Sequence, residues 1–265
     1  MDALGAMRRY VFGFVNSHDF DVCRRLMSED YVLHMGRDVV RGRDENYVPA
    51  VRHQMDRFPN LGFALHDLVT DGEWTALLFS EHGAEAGDPR RTASWLGVSI
   101  YRFDGRRLTE CWVEQDHYSR RRQVAGEGQA VPPIAVDPWS AAVIDPRPAT
   151  AETVTAWIEG LRAWPPESPD TAIRIDPGPW SAEQPRMRLH DSRIDHMVTS
   201  GDRAAFHATV RGRYLGGLPG SQTDDQVVEG HLAAFATVED GRLVALTGVS
   251  NRVALLRQLR GPARG

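Results

Sequence analysis

At 265 residues, with 42% hydrophobic and 25% charged content, the chain has the composition of a soluble globular protein long enough for one large domain or two small ones. A net charge of −5, with Arg120–Arg122 as the only run of three basic residues, gives no electrostatic footprint for nucleic acid. No stretch approaches the roughly 20 apolar residues of a membrane span and the N-terminus lacks a signal-peptide core, so the expectation is a cytoplasmic protein with no nucleic-acid and no membrane partner.

Residue usage narrows the chemistry further. All 31 basic residues are arginine, so Schiff-base chemistry and a lysine general base are both excluded. The two cysteines, Cys23 and Cys111, cannot build a disulfide framework and read as buried thiols. The common nucleophile-elbow, phosphate-loop, dinucleotide and zinc-protease motifs are absent, and no cofactor is expected.

In chain order, the spacing of Leu4, Met7, Val11, Phe12, Phe14 and Val15 predicts an amphipathic helix over 1–18, and a second short helix follows over 20–27. A strand over 30–35, a turn over 36–42 and a helix over 44–58, stopped by Pro59-Asn60, come next. Strands are then expected over 62–69, 73–83, 92–103 and 108–115, with a loop over 86–91 and turns at Asp71-Gly72 and Asp104-Gly105. Helices first and a meander of antiparallel strands afterwards make an α+β plan.

A segment rich in proline and glycine, 124–148, reads as an interdomain linker, with Trp139 and Ile144 docking on a domain surface. After a helix over 149–164, the second half echoes the first. The run 195–202 matches 66–73, and Glu239-Asp240-Gly241-Arg242-Leu243 matches Phe103 to Leu108, in the same order and at similar offsets. The expected organisation is a first domain over 1–123, a linker over 124–148, a divergent copy over 149–260 and a tail over 261–265. Where the first copy has Trp112 and Asp116, the second has approximately Thr247 and Asn251, and 165–185 replaces the helical middle with a proline-rich segment.

The first half resembles the SnoaL-like polyketide cyclases of the nuclear-transport-factor-2-like superfamily. The residues that carry the likeness are Asp30-Tyr31 with His34, Gly42-Arg43, Phe58-Pro59-Asn60-Leu61, Leu68-Val69 with Asp71-Gly72, Ile100 to Gly105, and Glu110-Cys111-Trp112 ending at Asp116. This resemblance implies cone-shaped α+β-barrel domains, each a curved antiparallel sheet packed on N-terminal helices, here two in tandem. It implies a hydrophobic small-molecule substrate and, among relatives, ring-closing cyclases, isomerases, epoxide-opening enzymes and plain carriers. The family's usual G-T-H-x-G stretch appears only as Glu81-His82-Gly83.

Regular alternation over 108–116 places Glu110, Trp112, Glu114 and Asp116 on one face and Cys111, Val113 and Gln115 on the other; acids beside a large aromatic suggest a lined cavity. Asp116 is the expected acid/base, as the resemblance also implies, with a strand-end aspartate accepting backbone hydrogen bonds as the alternative. His34 and His82 are the expected carbonyl-polarising or relay groups, each set against a satisfied structural histidine. Tyr31, Trp95 and Trp112 are expected to line the pocket, His53 to cap its mouth, and Glu114 to pair with an arginine such as Arg102 or to share a proton with Asp116. Arg102 with Asp116 would also serve an epoxide-opening reaction. A metal reading of His190, Asp191, Asp195 and His196 is rejected, because adjacent strand residues point to opposite faces. The expected activity is that of a cofactor-free cyclase or isomerase, with a non-catalytic binder as the other class. The second domain is expected to form a pseudo-dimer with the first, and a homodimer is left open.

Overall fold

In the computed structural model, residues 1–130, 138–140, 142–221 and 225–260 are described. Residues 131–137 and 141 of the expected linker, and the 261–265 tail, lie outside them.

Helix α1 (Ala3–Arg8), capped by Asp2, continues as a π-helix over Arg9–Val15 and buries Met7, Val11 and Phe14 against the first sheet. Asp19 accepts from the amides of Asp21 and Val22 and so starts α2 (Phe20–Leu26). Strand β1 (Met27–Met35) turns into β2 (Asp38–Arg41), a strand of four residues inside what the sequence reads as a turn; so short a segment leaves no alternation to detect. Helix α3 (Val48–Arg57) follows a π-turn over Arg43–Tyr47.

Strands β3 (Gly62–Thr70), β4 (Trp74–Glu85), β5 (Asp88–Phe103) and β6 (Leu108–Gln115) form the expected antiparallel meander, and β1 closes on β6 in parallel, giving the order β2-β1-β6-β5-β4-β3. The loop expected over 86–91 is a tight hairpin, since β5 already pairs at Asp88. Asp104 and Gly105 make the β5–β6 turn: the Asp104 carboxylate accepts from the amides of Arg106 and Arg107, and Gly105 takes φ 88°. Beyond β6 the chain forms α4 (His117–Val124), so the run Arg120–Arg122, which by sequence suggests a solvated strand end, lies on a helix instead.

The second half repeats this outline. Helix α5 (Pro148–Glu159) stops short of the expected Trp164. Strands β7 (Ala163–Trp164), β8 (Ala172–Ile175), β9 (Met187–Ser200), β10 (Arg203–Tyr214), β11 (Val227–Glu239) and β12 (Arg242–Ser250) order as β7-β9-β10-β11-β12-β8. Strand β8 runs parallel to β12 as β1 does to β6, and α6 (Arg252–Leu259) follows β12 as α4 follows β6. The two sequence echoes fall on corresponding hairpins, β3–β4 with β9–β10 and β5–β6 with β11–β12. The architecture is thus α+β, two curled mixed sheets with helices in tandem. Trp139 docks against the ring of Phe12, with the Arg8 guanidinium over it, and Ile144, its side chain partly exposed, is held through its backbone by the Ser200 hydroxyl.

Each sheet closes over its own apolar core, and a third apolar layer joins their outer faces. Val69, Ala76, Leu78, Val98 and Ile100 meet Val198, Ala205, Ala233 and Phe235, the alanines letting the sheets approach closely. This layer reverses one expectation. On β6 it is Cys111, Val113 and Gln115 that face the interior of the first cone, while Trp112 and Glu114 face the second domain. Because the second domain covers the outer face, polar groups there are buried among partners it supplies, and the apolar alternate set fills the cone.

Candidate active site

The first cone encloses a cavity of about 260 Å3. Strand alternation that sends Leu77 and Phe79 inward also sends in Glu81, at the polar end of an otherwise apolar chamber. From α3, Gln54 donates its amide to Glu81 Oε2 at 2.7 Å, and Gln115 and His117 bring the end of β6 and the start of α4 to the same wall. The phenols of Tyr10, Tyr47 and Tyr101 line the same cavity, with the hydroxyls of Tyr10 and Tyr47 3.3 Å apart. The exposed lining residues Asp38 and Ala50 mark where the cavity opens.

Burial dominates the electrostatics of this chamber. It pushes the Glu81 carboxyl up to about 7, with the Arg120 guanidinium and the hydrogen bond from Gln54 opposing. Burial, helped by Arg120 and Arg121, holds His117 well below the ordinary imidazole value, so its ring is neutral at neutral pH. Tyr10, Tyr47 and Tyr101 are all raised by burial and keep their protons. The His117 tautomer follows from its neighbours. The Trp95 indole can only donate, and it donates to Gln115 Oε1 at 3.0 Å; the same oxygen lies 2.8 Å from His117 Nε2, which must therefore carry the hydrogen and leave Nδ1 as an acceptor. The chamber thus combines a carboxyl poised near neutrality with protonated phenols across an apolar space.

Two family models match the sequence: a SnoaL-like domain over residues 7–111 and a SnoaL-like polyketide cyclase over residues 187–259. The chain carries two SnoaL-like domains in tandem. Among solved structures, IdmH from Streptomyces antibioticus is similar at 21% identity and a TM-score of 0.41, covering 46% of this chain and 96% of its own. A SnoaL-like protein from Jannaschia gives 16%, 0.42, 49% and 92% in the same terms, and an NTF2-like protein from Burkholderia pseudomallei 16%, 0.41, 46% and 95%. No curated protein matches the sequence. Among the described residues, no helix is long and apolar enough to cross a membrane.

Within the first SnoaL-like domain, few of the sequence-predicted residues reach the chamber. Asp116 sits at the end of β6 but caps α4, accepting from Ser119 N at 3.0 Å, and its carboxylate pairs with Arg252 of the second domain at 2.8 Å. His34 lies on the outer face of β1, stacked on Trp112 at 3.8 Å and bonded to Glu110 at 3.0 Å. His82 shares the outer face of β4 with Ser80, whose hydroxyl lies between His82 and His66 at 2.6 and 2.7 Å. Glu114 is fully buried and bonds the Gly36 amide, Asn251 and His207, not an arginine. Arg102 pairs with Glu73 near the protein surface, away from Asp116. Tyr31 is buried beneath the chamber against Tyr47, and Trp95 backs its wall through Gln115. His53 is exposed on α3.

None of the residues that line the polar end, Glu81, Gln54, Gln115 and His117, is a site candidate in the sequence reading, although Glu81 carries a signal. Its signal is a carboxylate at the inward parity of the run Leu77, Phe79, Glu81, a position where an acid has no reason to be solvated. In the second SnoaL-like domain, among the described residues, Phe206, Tyr214, Trp164 and Leu232 fill the cone, and the void beside His231 and Leu255 is about 10 Å3. A cleft of about 880 Å3 between α5 and the β11–β12 turn is open surface ringed by exposed charges such as Glu152, Asp170 and Asp240.

Proposed function

We propose that the first domain is a cofactor-free acid/base enzyme, a cyclase or isomerase that acts on a small hydrophobic, polyketide-like carbonyl compound held in the cone. The observation that carries this reading is Glu81, a carboxyl that burial lifts to about 7 inside an apolar chamber of about 260 Å3. In its ionised form Glu81 removes a proton from the carbon next to the substrate carbonyl. The Tyr10–Tyr47 phenol pair, protonated throughout, donates to the carbonyl oxygen as negative charge develops there. The enolate then attacks an internal carbonyl, closing a ring and leaving an alkoxide that takes the proton back from Glu81, or it takes that proton at another carbon, completing an isomerisation. His117, neutral with Nδ1 as acceptor, orients a substrate hydroxyl; Gln54 holds Glu81 in place.

A hydrophobic β-diketone in D2O provides the test, since its activated C–H exchanges when a base removes it and the exchange is read by NMR. Wild-type protein should accelerate exchange, and Glu81→Gln should lose it while still binding the diketone. Unchanged exchange in the variant removes Glu81 from the mechanism. Binding without exchange in the wild type favours the carrier class instead.

A further inference from the structure

The seam between the two domains holds a second polar cluster that the cone chemistry does not use. Glu114 comes from β6, His207 from β10 and His231 from β11, all buried, with one ligand atom from each lying within 4.8 Å of the others. His207 Nδ1 contacts Asp195 Oδ2 at 2.9 Å and its Nε2 faces Glu114 Oε1 at 3.0 Å. Asp195 is thereby placed as the carboxylate behind a ligating imidazole, fixing its ring orientation and tautomer.

The decisive group is His231. The Thr209 hydroxyl gives its one proton to Asp195 Oδ2 at 2.6 Å, so at its 3.2 Å contact with His231 it can only accept, and His231 Nδ1 must carry the hydrogen. His231 Nε2 is left as a bare lone pair in a side chain 5% exposed, with no hydrogen-bond partner. Glu229 Oε1 lies 3.3 Å from it, outside hydrogen-bond geometry, so two acceptors face each other. A cation between them removes that conflict.

Three carboxylates, Glu114, Asp195 and Glu229, converge on this seam, held by the His207 imidazolium and by the outlying guanidiniums of Arg37 on Glu229 and Arg193 on Asp195. Two imidazoles with carboxylate oxygens suit the borderline-soft divalent metals rather than calcium or magnesium.

We propose that Glu114, His207 and His231, with Glu229 as the fourth ligand, bind one divalent transition-metal ion of the zinc class at the domain seam. Binding releases the Nε2 proton of His207 and forms the metal–nitrogen bond in its place. Glu114 and His207 already stand close to the roughly 3.3 Å ligand separation that tetrahedral bonds of about 2.0–2.1 Å impose; the wider separations involve His231 and Glu229, whose side chains swing toward them. The ion joins Glu114 of the first domain to His207, His231 and Glu229 of the second.

The test uses full-length protein stripped with chelator and titrated with zinc chloride by calorimetry, and with cobalt(II), whose visible d–d absorption reports tetrahedral coordination. The expected result is one ion per chain, a tetrahedral cobalt spectrum and a raised melting temperature with zinc. His231→Gln should weaken binding at least 100-fold, and Asp195→Asn 10- to 100-fold. Absence of saturable zinc binding and of the cobalt spectrum in the wild type overturns the proposal, as does unchanged affinity in a folded His231→Gln protein.

Discussion

Arg252, the first residue of α6, donates from Nη2 to Asp116 Oδ1 at 2.8 Å, tying the last helix of the second domain to the residue that caps α4 of the first. Its Nε lies 3.3 Å from Asp176 Oδ2, and Asp176 in turn accepts from the Ser250 amide at 2.7 Å. All three charged groups are buried. Arg252→Met strands two buried carboxylates and should cost about 3–5 kcal/mol in chemical denaturation. Asp116→Asn keeps an N-cap oxygen but loses a charged hydrogen bond, for about 1.5–3 kcal/mol, with diketone exchange unchanged. An Asp116→Asn protein of wild-type stability that no longer catalyses exchange would return Asp116 to the mechanism.

The poised carboxyl of Glu81 predicts opposite pH trends for activity and stability. Its folded-state pKa, about 7, stands above the ordinary 4.5, so the stabilisation from its bound proton is fully present below about pH 4.5 and is lost as pH rises through 7. Above that, the fold carries a buried charge that costs on the order of 3 kcal/mol. Glu81→Gln should therefore melt higher than wild type at pH 8 and lose this part of the pH dependence. Activity should rise with pH and level off above 7, because only the ionised form is a base. Equal pH dependence of melting in the two proteins would contradict the assignment.

Filling the chamber offers a test that leaves the polar residues untouched. Val113 points inward from β6 and is 4% exposed. Val113→Phe should block binding of the diketone, measured by calorimetry, while overpacking costs about 1–3 kcal/mol of stability. Undiminished binding in a folded Val113→Phe protein would place the ligand elsewhere.

The meander, its turns and the duplication are legible in the sequence because they rest on local chemistry. Asp104-Gly105 and Asp240-Gly241 are turn formers wherever they occur, and long strands show their period of two. Which face of β6 looks inward is not local. The rule that apolar residues face the core would have chosen Cys111 and Val113, but the acids beside Trp112 suggest a pocket when nothing in the segment shows that another domain covers them. The seam cluster is hidden for the same reason. A search for metal ligands along one strand considers His190 to His196 as a set, whereas the assembled group draws on β6, β10 and β11, far apart in the chain. His117 was obscured because the arginines after it disguise a helix start as a strand end.

Separating the domains should expose what their packing conceals. The outer face of the first sheet carries Val69, Ala76, Leu78, Val98 and Ile100, flanked by Trp74 and Trp112, a contiguous apolar surface that the second domain covers. The same cut removes Arg252 from Asp116, and His207 and Asn251 from Glu114. A fragment spanning 1–130 should therefore self-associate, since a sheet face suited to one cone suits a second copy of itself. Light scattering after size exclusion should show a dimer or larger species, and Ile100→Asp in the fragment should return it to a monomer of lower stability. A well-behaved monomer without that substitution would mean that the apolar layer contributes little to holding the tandem together.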